Sequence, residues 1–318
     1  MAPLCSSVPF LHLQREEMMM SKLWKANTLH YFLMLLPGLV LIALFNIYPL
    51  FGLVMAFKSF NPVQGIWGSP WVGIEHFKFV FNSPQSAQIL SNTIMISLMK
   101  LVTMLIIPII FAIMLNEIRL RWFKRTVQTI VYLPHFLSWV VIAGILREML
   151  ALNGMVNEVL GDWFNLESIM FLGDNLWFRP ILISTNVWKE FGFSTIIYLA
   201  ALTSINPALY EAAVIDGAGR FRQIWHITLP GIAVTIALLA TLSLNGILNA
   251  GFDQIFNLYN VLVYETADII DTYIFRAGLV SFQYEIATAI GLINSLVSLL
   301  LIIFTYWLAY RFANYRIF

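Results

Sequence analysis

The chain has 318 residues, of which 60% are hydrophobic and only 11% are charged, and its formal net charge is +1. Soluble proteins usually carry about 25% charged residues, so this composition indicates one polytopic membrane domain and excludes an ordinary soluble protein. The small net charge gives no sign of nucleic-acid binding, and the single cysteine, Cys5, excludes an internal disulfide or a cysteine metal cluster.

Six apolar segments are long enough to cross a bilayer, which takes roughly 20 mostly apolar residues. The first run lacks a small-residue cleavage site and is too long for the apolar part of a secretory signal, so we expect a membrane helix there. Leu133-Pro134 should kink the third span, because proline cannot continue the helical hydrogen bonds. The predicted fold is an all-α membrane protein with six transmembrane helices, at 30–57, 91–116, 125–147, 180–203, 230–251 and 284–311.

The distribution of lysine and arginine predicts the orientation, because cytoplasmic loops carry an excess of both. With the N-terminus inside, the inner segments hold eleven of these residues and the outer segments hold five. Both termini are therefore expected in the cytoplasm, and residues 1–29 form a cytoplasmic N-terminal segment. Residues 58–90 become an external loop after the first span, and residues 91–318 form the remaining transmembrane domain.

Two of the external stretches have the composition of short helices. In IEHFKFVF, at 74–81, apolar residues recur at helical spacing, which predicts a helix lying in the membrane interface. Residues 259–278 are expected to form another outer helix.

The stretch between the fourth and fifth spans is polar and has strong local signals for helices. Asn206 is suited to cap a helix and Pro207 to occupy its first position, so a short helix should run from Pro207 to about Ile215. Gly217 then supplies a turn, because glycine tolerates positive φ. A second short helix is expected at 220–227.

This stretch resembles the EAA loop of bacterial ATP-binding-cassette (ABC) importer permeases. That loop has Glu-Ala-Ala, a glycine six residues after the glutamate, and Ile/Val-x-Leu-Pro. The matching residues here are Glu211, Ala212, Ala213, Gly217, Ile227, Leu229 and Pro230.

The resemblance implies the type I ABC importer permease fold, with loop 207–230 forming cytoplasmic coupling helices. In that family these helices dock in a groove of the ATP-hydrolysing subunit. The residues predicted to couple this chain to the ATPase are Glu211, Ala212, Ala213, Asp216, Gly217, Arg220 and Phe221.

Further elements resemble sugar permeases of the maltose-importer type. The sequence WVGIEHF, at 71–77, is similar to their VGxxNF element, with His76 in place of the usual Asn. LPHFLSWV at 133–140, DQIF at 253–256 and IDTYIFR at 270–276 resemble the subgroup that handles oligo- and polysaccharides, including alginate. The expected function is therefore the pore-forming subunit of an ATP-driven importer for such a saccharide.

The resemblance also implies partners and a location. They are a second, homologous permease chain, two ATP-binding cassette subunits and an extracytoplasmic solute-binding protein, in the bacterial inner membrane. The sequence has no GxxxxGK[ST] phosphate-binding loop, so ATP and Mg²⁺ are expected on the partner subunits and no cofactor on this non-catalytic chain. The five histidines show no metal-ligand spacing.

Candidate pathway residues are the polar groups within the spans, because polarity there is costly without a purpose. Three polar residues of the fifth span recur every four residues and predict one polar stripe along a helix, which a phenylalanine extends outward. The asparagines of this stripe have a second interpretation, as hydrogen-bonding groups between helices. Lys189-Glu190 is either a locally satisfied pair or, for a polyuronate cargo, a source of a cationic ligand. The predicted pathway residues are Thr241, Asn245, Asn249, Phe252, Asn186, Trp188 and Lys189.

Two other functions remain open at this point. An ABC importer permease for a non-sugar solute shares the EAA loop but tends to lack the outer elements at 71–77 and 259–278. A secondary transporter needs a proton or sodium site, usually built from buried carboxylates, and Glu190 is the one acid well inside a predicted span.

Overall fold

The computed structural model describes residues 30–244 and 246–313, so the predicted N-terminal segment 1–29 and Asn245 lie outside the described residues. Within the described part every regular element is a helix, apart from one isolated bridge between Lys58 and Trp71. The chain divides into two units, Met1–Val54 and Met55–Phe318.

The helices are numbered in chain order. They are α1 (His30–Phe57), α2 (Gly65–Gly68), α3 (Glu75–Asn82), α4 (Pro84–Glu117), α5 (Arg121–Tyr132), α6 (Trp139–Met149), α7 (Met155–Phe164), α8 (Asn175–Thr203), α9 (Pro207–Ile215), α10 (Arg220–Gln223), α11 (Leu229–Gly231), α12 (Ala233–Leu244), α13 (Phe252–Leu258), α14 (Tyr264–Ala267), α15 (Ile270–Phe275) and α16 (Tyr284–Ala313).

The helices provide up to six membrane crossings, the number predicted. α1, α4 and α16 are each long and apolar enough to cross alone. Three further helix pairs bring the number to six if each bent pair is counted as one crossing: Arg121–Phe136 meets α6 at 99°, α8 meets α9 at 70°, and Arg220–Gly231 meets α12 at 59°.

Two predicted spans differ from the structure. The third does not run as one kinked helix over 125–147, because a 3₁₀ turn at Leu133–Phe136 separates α5 from α6. Pro134 lacks the N–H that an α-helix would need there, and the Ser138 hydroxyl then accepts from the Val141 N–H to start α6. The fifth span does not continue to residue 251, because α12 ends at Leu244 and α13 begins only at Phe252.

α4 is the central helix of the second unit. It contributes Ile89, Ile96 and Ala112 to three separate clusters of buried apolar side chains. α8 packs beside it and shares two of those clusters through Phe178 and Tyr198. Burial of apolar side chains along its length fixes α4 between the outer elements and the helices that follow.

A glycine allows α8 to approach α5 closely. A Cβ at Gly192 would lie 2.4 Å from the carbonyl oxygen of Val131. Any larger residue would therefore force the two backbones apart. This approach places the α8 side chains next to the break between α5 and α6.

The outer elements are partly as predicted. α3 confirms a helix in IEHFKFVF, with Val80 buried, while its location in a membrane interface stays a prediction. Residues 259–278 do not form one helix, because the chain breaks at Asp268 between α14 and α15. The Asp268 side chain accepts hydrogen bonds from Thr272 and Arg276, and these contacts favour an extended backbone at that position over a helix.

Candidate functional site

Residues 206–230, called the EAA segment below, form a braced helical hairpin. The Asn206 side chain accepts a hydrogen bond from the Ala208 N–H at 3.0 Å, and α9 ends at Ile215, as predicted. Gly217 has a φ of +74°, a backbone conformation that favours glycine and reverses the chain. The local sequence chemistry therefore determines both ends of α9.

The second half of the EAA segment combines two kinds of helical turn, where one short helix was predicted. α10 spans only Arg220–Gln223, and a π-helical turn at Ile224–Thr228 continues it. The Tyr210 hydroxyl lies 2.9 Å from the Thr228 hydroxyl and joins α9 to this turn. A Cβ at Gly231 would lie 2.8 Å from Ile205, so the segment folds back tightly on its own start.

The EAA segment exposes several large apolar side chains. Ile215 is 85% exposed and Phe221 is 79% exposed, and Val214 and Trp225 are also exposed. Six of the seven predicted coupling residues are exposed, and Ala213 is half-buried. A surface of this kind at the end of a braced hairpin is typical of a protein–protein contact.

Arg220 connects the EAA segment to the end of α4. Its guanidinium donates to the Glu117 carboxylate at 2.6 Å. Both side chains are largely exposed, so the pair contributes little to stability. It joins the EAA segment to the last residue of α4.

The predicted polar stripe of the fifth span is wrong in its geometry. Thr241 lies in α12, where its hydroxyl donates to the Ala237 carbonyl at 2.7 Å. Asn245 lies outside the described residues. Asn249 lies beyond the end of the helix, in a turn where its side-chain oxygen accepts from the Gly251 N–H at 3.2 Å. A helical spacing could not bring the three together, because the helix ends before Asn249.

Phe252 does not extend a stripe but lies in an aromatic cluster. Its ring stacks on Phe256, with centroids 5.1 Å apart, and packs against Phe275 at 5.7 Å. Phe256 lies on α13 and Phe275 lies on α15. The side chain is therefore largely held by its neighbours.

The predicted pathway residues of the fourth span separate on α8. Trp188 is exposed, Asn186 is half-buried, and Lys189 is buried. The Lys189 ammonium donates to the His135 carbonyl at 2.9 Å and to the Glu190 carboxylate at 2.8 Å. This is the locally satisfied pair that the sequence left as one alternative.

His135 completes that network at the break between α5 and α6. Its Nδ1 lies 2.7 Å from Glu190, and its ring stacks on Phe193 with centroids 4.0 Å apart. Glu190 is thus shared between Lys189 and His135. The arrangement stabilises the bend that follows Pro134.

Lys100 was not among the predicted pathway residues, and the structure places its side chain against the end of the fifth span. Its ammonium donates to the Ala250 carbonyl at 2.7 Å and to Gln254 Oε1 at 2.5 Å. The Gln254 amide in turn donates to α8, to Leu182 O at 2.8 Å and to Thr185 at 2.9 Å. A lysine within a long apolar run was the available signal, since such residues are rarely without function.

A second polar group lies at the opposite end of α4 from the EAA segment, and we call it the Asp268 cluster. The buried Asp268 carboxylate is paired with Arg276 at 2.5 Å and accepts from Thr272 at 2.7 Å. Asn92 donates to the Asp268 carbonyl and accepts from Arg179. The cluster consists of Asn92, Arg179, Asp268, Thr272 and Arg276.

The surroundings of Arg276 in this cluster favour its charged form. Burial alone would lower the pKa of the Arg276 guanidinium, but the hydrogen bonds and the charge of Asp268 raise the pKa above its usual value. The guanidinium also lies over the rings of Tyr264 and Tyr273. Arg276 therefore stays charged.

In the described part of the chain, no group of His, Cys, Asp and Glu side chains could hold a metal ion.

Comparison with known proteins gives a match to one family. Residues 104–314 match the family model of the binding-protein-dependent transport system inner membrane component. The chain belongs to this family. As a family member it is a multi-pass inner membrane permease subunit of an ABC importer, a non-catalytic component, and it works with a solute-binding protein.

Individual relatives agree with the family. The chain is 40% identical to the polygalacturonan/rhamnogalacturonan transport system permease protein YteP of Bacillus subtilis (strain 168), over 98% of this chain and 97% of that protein.

Two solved structures confirm the type I permease fold. One is the crystal structure of a bacterial ABC transporter involved in the import of the acidic polysaccharide alginate. It is 44% identical with a TM-score of 0.82, covering 92% of this chain and 99% of that chain. The other is a bacterial alginate ABC transporter in complex with an alginate pentasaccharide-bound periplasmic protein. It is 44% identical with a TM-score of 0.81, covering 91% and 96%.

Proposed function

We propose that this family member forms one half of the translocation pathway of an ATP-driven importer for acidic oligo- or polysaccharides. The observation that supports this cargo is the agreement between one relative at 40% identity and two solved structures at 44% identity. The Bacillus permease is named for polygalacturonan and rhamnogalacturonan, and both similar structures are of alginate importers. Polygalacturonan and alginate are polymers of uronic acids, so the shared chemistry is a sugar chain with regularly spaced carboxylates.

The importer that we propose contains more than this chain. Alternating access requires two halves that move around a central site, and six crossings supply one half. A second, homologous permease would supply the other half, and two ATP-binding cassette subunits would bind ATP and Mg²⁺. A solute-binding protein would deliver the saccharide from outside the membrane.

The EAA segment is the part of this chain that would contact an ATP-binding subunit. Its exposed apolar side chains, Ile215 and Phe221 among them, suit a hydrophobic groove. Glu211 is exposed on the same segment and suits a cation on the partner. The predicted coupling residues Ala212, Ala213, Asp216 and Gly217 lie between these two contacts.

The topology that fits this proposal has the EAA segment and both termini in the cytoplasm. Residues 58–90, with α3, would then lie outside, on the side where the solute-binding protein docks. The excess of lysine and arginine on the inner segments supports this orientation.

ATP-driven closure of the partner subunits would act on this chain through the EAA segment. For that to change the pore, the partner must bind the segment differently in the two states. The hairpin transmits such a change as one body, because the Tyr210–Thr228 hydrogen bond ties its two halves together.

The test is Glu211→Lys in the assembled transporter. The reversed charge should repel the partner's cation and lower both coupled uptake and the ATPase stimulation by loaded binding protein, by at least about tenfold for a lost charge-assisted contact. Uptake of a uronate oligosaccharide and ATP hydrolysis are measured on the same preparation. Glu158→Lys, at another exposed glutamate on α7, is the matched control.

Wild-type uptake and stimulation in Glu211→Lys would contradict the role of the segment. Absence of uptake of every uronate oligosaccharide by the wild-type transporter, with a neutral sugar or another solute taken up instead, would contradict the proposed cargo.

A further inference from the structure

In the fifth span, a stretch of non-helical backbone separates α12 from α13. α12 ends at Leu244, and the described residues 246–251 form successive turns, with the Asn249 N–H donating to the Gly246 carbonyl at 2.8 Å. Gly251 has a φ of +91° and starts α13. Non-helical backbone at membrane depth is tolerated where it is buried in protein or lines a polar cavity.

Lys100 is held against this break. A Cβ at Gly251 would lie 2.8 Å from the Lys100 ammonium, so the glycine makes room for the cation. Among the described residues, two of the three ammonium donors have acceptors, the Ala250 carbonyl and Gln254. Both of these acceptors are neutral.

Lys100 therefore makes no direct ion pair with a described acid. In the described part of the chain no carboxylate lies within ion-pair distance of its ammonium. Lys189, in contrast, pairs with Glu190 at 2.8 Å. Placing an unpaired cation within a membrane protein is expensive, and such residues mark ligand and ion pathways.

A shallow, open cavity of about 260 Å³ lies next to Lys100. Ser97, three residues earlier and thus on the same face of α4, also lines it, as does Asn249 from the break. The Ser97 residue is only 5% exposed, and its hydroxyl has no hydrogen-bond partner among the described residues. Buried hydroxyl groups are normally hydrogen-bonded, so this one keeps donor capacity for a group that enters the cavity.

We propose that Ser97, Lys100 and Asn249 form a binding site for the carboxylate of one uronate residue as an acidic saccharide crosses the membrane. The free ammonium donor of Lys100 and the Ser97 hydroxyl donate to the carboxylate oxygens, and the Asn249 amide binds a neighbouring sugar hydroxyl. The cavity is smaller than the roughly 300–1,000 Å³ of sites that enclose a whole ligand, which suits one residue of a passing chain. This inference rests on the proposed function, because it assumes an acidic cargo.

The experiment uses the complete transporter in proteoliposomes and a galacturonate trimer as cargo. Uptake is normalised to assembled transporter and is accompanied by ATPase stimulation and by the thermal unfolding midpoint. The variants are Lys100→Gln, Lys100→Arg and Ser97→Ala. Ser91→Ala is the matched control, because Ser91 is an exposed serine on the same helix.

Uptake should fall about tenfold or more in Lys100→Gln, as expected for a lost hydrogen bond between charged groups. Lys100→Arg should retain most of the uptake, because it keeps the charge. Ser97→Ala should lose about two- to tenfold, as for one neutral hydrogen bond, with an unchanged unfolding midpoint. Ser91→Ala should match the wild type.

The two structural alternatives give different results. If Lys100 only joins α4 to α13, its replacement lowers the amount of assembled transporter. Uptake normalised to that amount is then the same in Lys100→Gln and Lys100→Arg. Wild-type uptake in Ser97→Ala would overturn the site even where Lys100→Gln fails to assemble, because no described residue bonds to that hydroxyl. Failure of the wild type to take up the trimer at all refutes the proposed cargo instead.

Discussion

The two ends of α4 differ in how completely the chain satisfies its own groups. At one end, the Asp268 cluster pairs its buried carboxylate with Arg276 and leaves the polar groups bonded within the chain. At the other end, the EAA segment is braced by Tyr210 but leaves Ile215 and Phe221 exposed. The first region is satisfied within the chain, whereas the second leaves large apolar side chains uncovered by the described residues.

We therefore expect the two regions to affect different properties, namely the stability of the chain and its association with an ATP-binding subunit. Substitutions in the Asp268 cluster should unfold the chain or prevent its assembly, because they leave groups without partners. Substitutions on the exposed face of the EAA segment should leave the chain folded and affect only its association with an ATP-binding subunit. Each of the following predictions tests one side of this contrast.

The largest effect is expected for Asp268→Ala. Removing the carboxylate leaves the Arg276 guanidinium without its partner in a buried site, which costs about 3–5 kcal/mol. Thermal unfolding of the purified transporter measures the loss. Glu265→Ala, an exposed acid on the neighbouring helix α14, should change stability by no more than about 0.5 kcal/mol. Equal effects of the two substitutions would show that the cluster does not stabilise the fold.

Phe221→Ser should have a smaller effect, and on a different quantity. The side chain is exposed, so stability of the chain should change by no more than about 0.5 kcal/mol. Binding of the ATP-binding subunit should weaken by about 2 kcal/mol, if Phe221 is an anchor of the interface. Titration of the purified ATP-binding subunit onto the permease pair measures this affinity. An unchanged affinity together with normal coupling would exclude Phe221 from the contact.

Asn206→Ala should have the smallest effect. Loss of the side-chain cap destabilises the start of α9 by about 1 kcal/mol. Faster hydrogen exchange of the α9 amides measures this change, and Asn206→Ser should largely restore protection because serine also caps helices. If Asn206→Ala left α9 exchange unchanged, the turn and the Tyr210 contact would be enough to fix the helix.

The sequence predicted the EAA segment well because its determinants are local. Asn206, Pro207 and Gly217 act through the residues beside them, and α9 begins and ends where those residues require. The number of crossings was also predictable, since it depends on the length of apolar runs.

The break in the fifth span was not predictable from the same kind of signal. The apolar run continues past Leu244, and the turns at 246–251 are stabilised by Lys100, which is distant in sequence. The spacing of Thr241 and Asn249 assumed a helix that ends between them. Similarly, Pro134 predicted a kink, but the 99° bend also involves the His135–Glu190 contact from another helix.

The pair between Arg220 and Glu117 has a mechanical consequence. Glu117 is the last residue of α4, and Lys100 lies 17 residues earlier in the same continuous helix, or about 25 Å at 1.5 Å per residue. Under the proposed function, a tilt of the EAA segment would pull on this end of α4 through an exposed and weak ion pair. Pro108 lies between Glu117 and Lys100 and removes one helical hydrogen bond there, so α4 would bend at that point rather than move as a rigid rod.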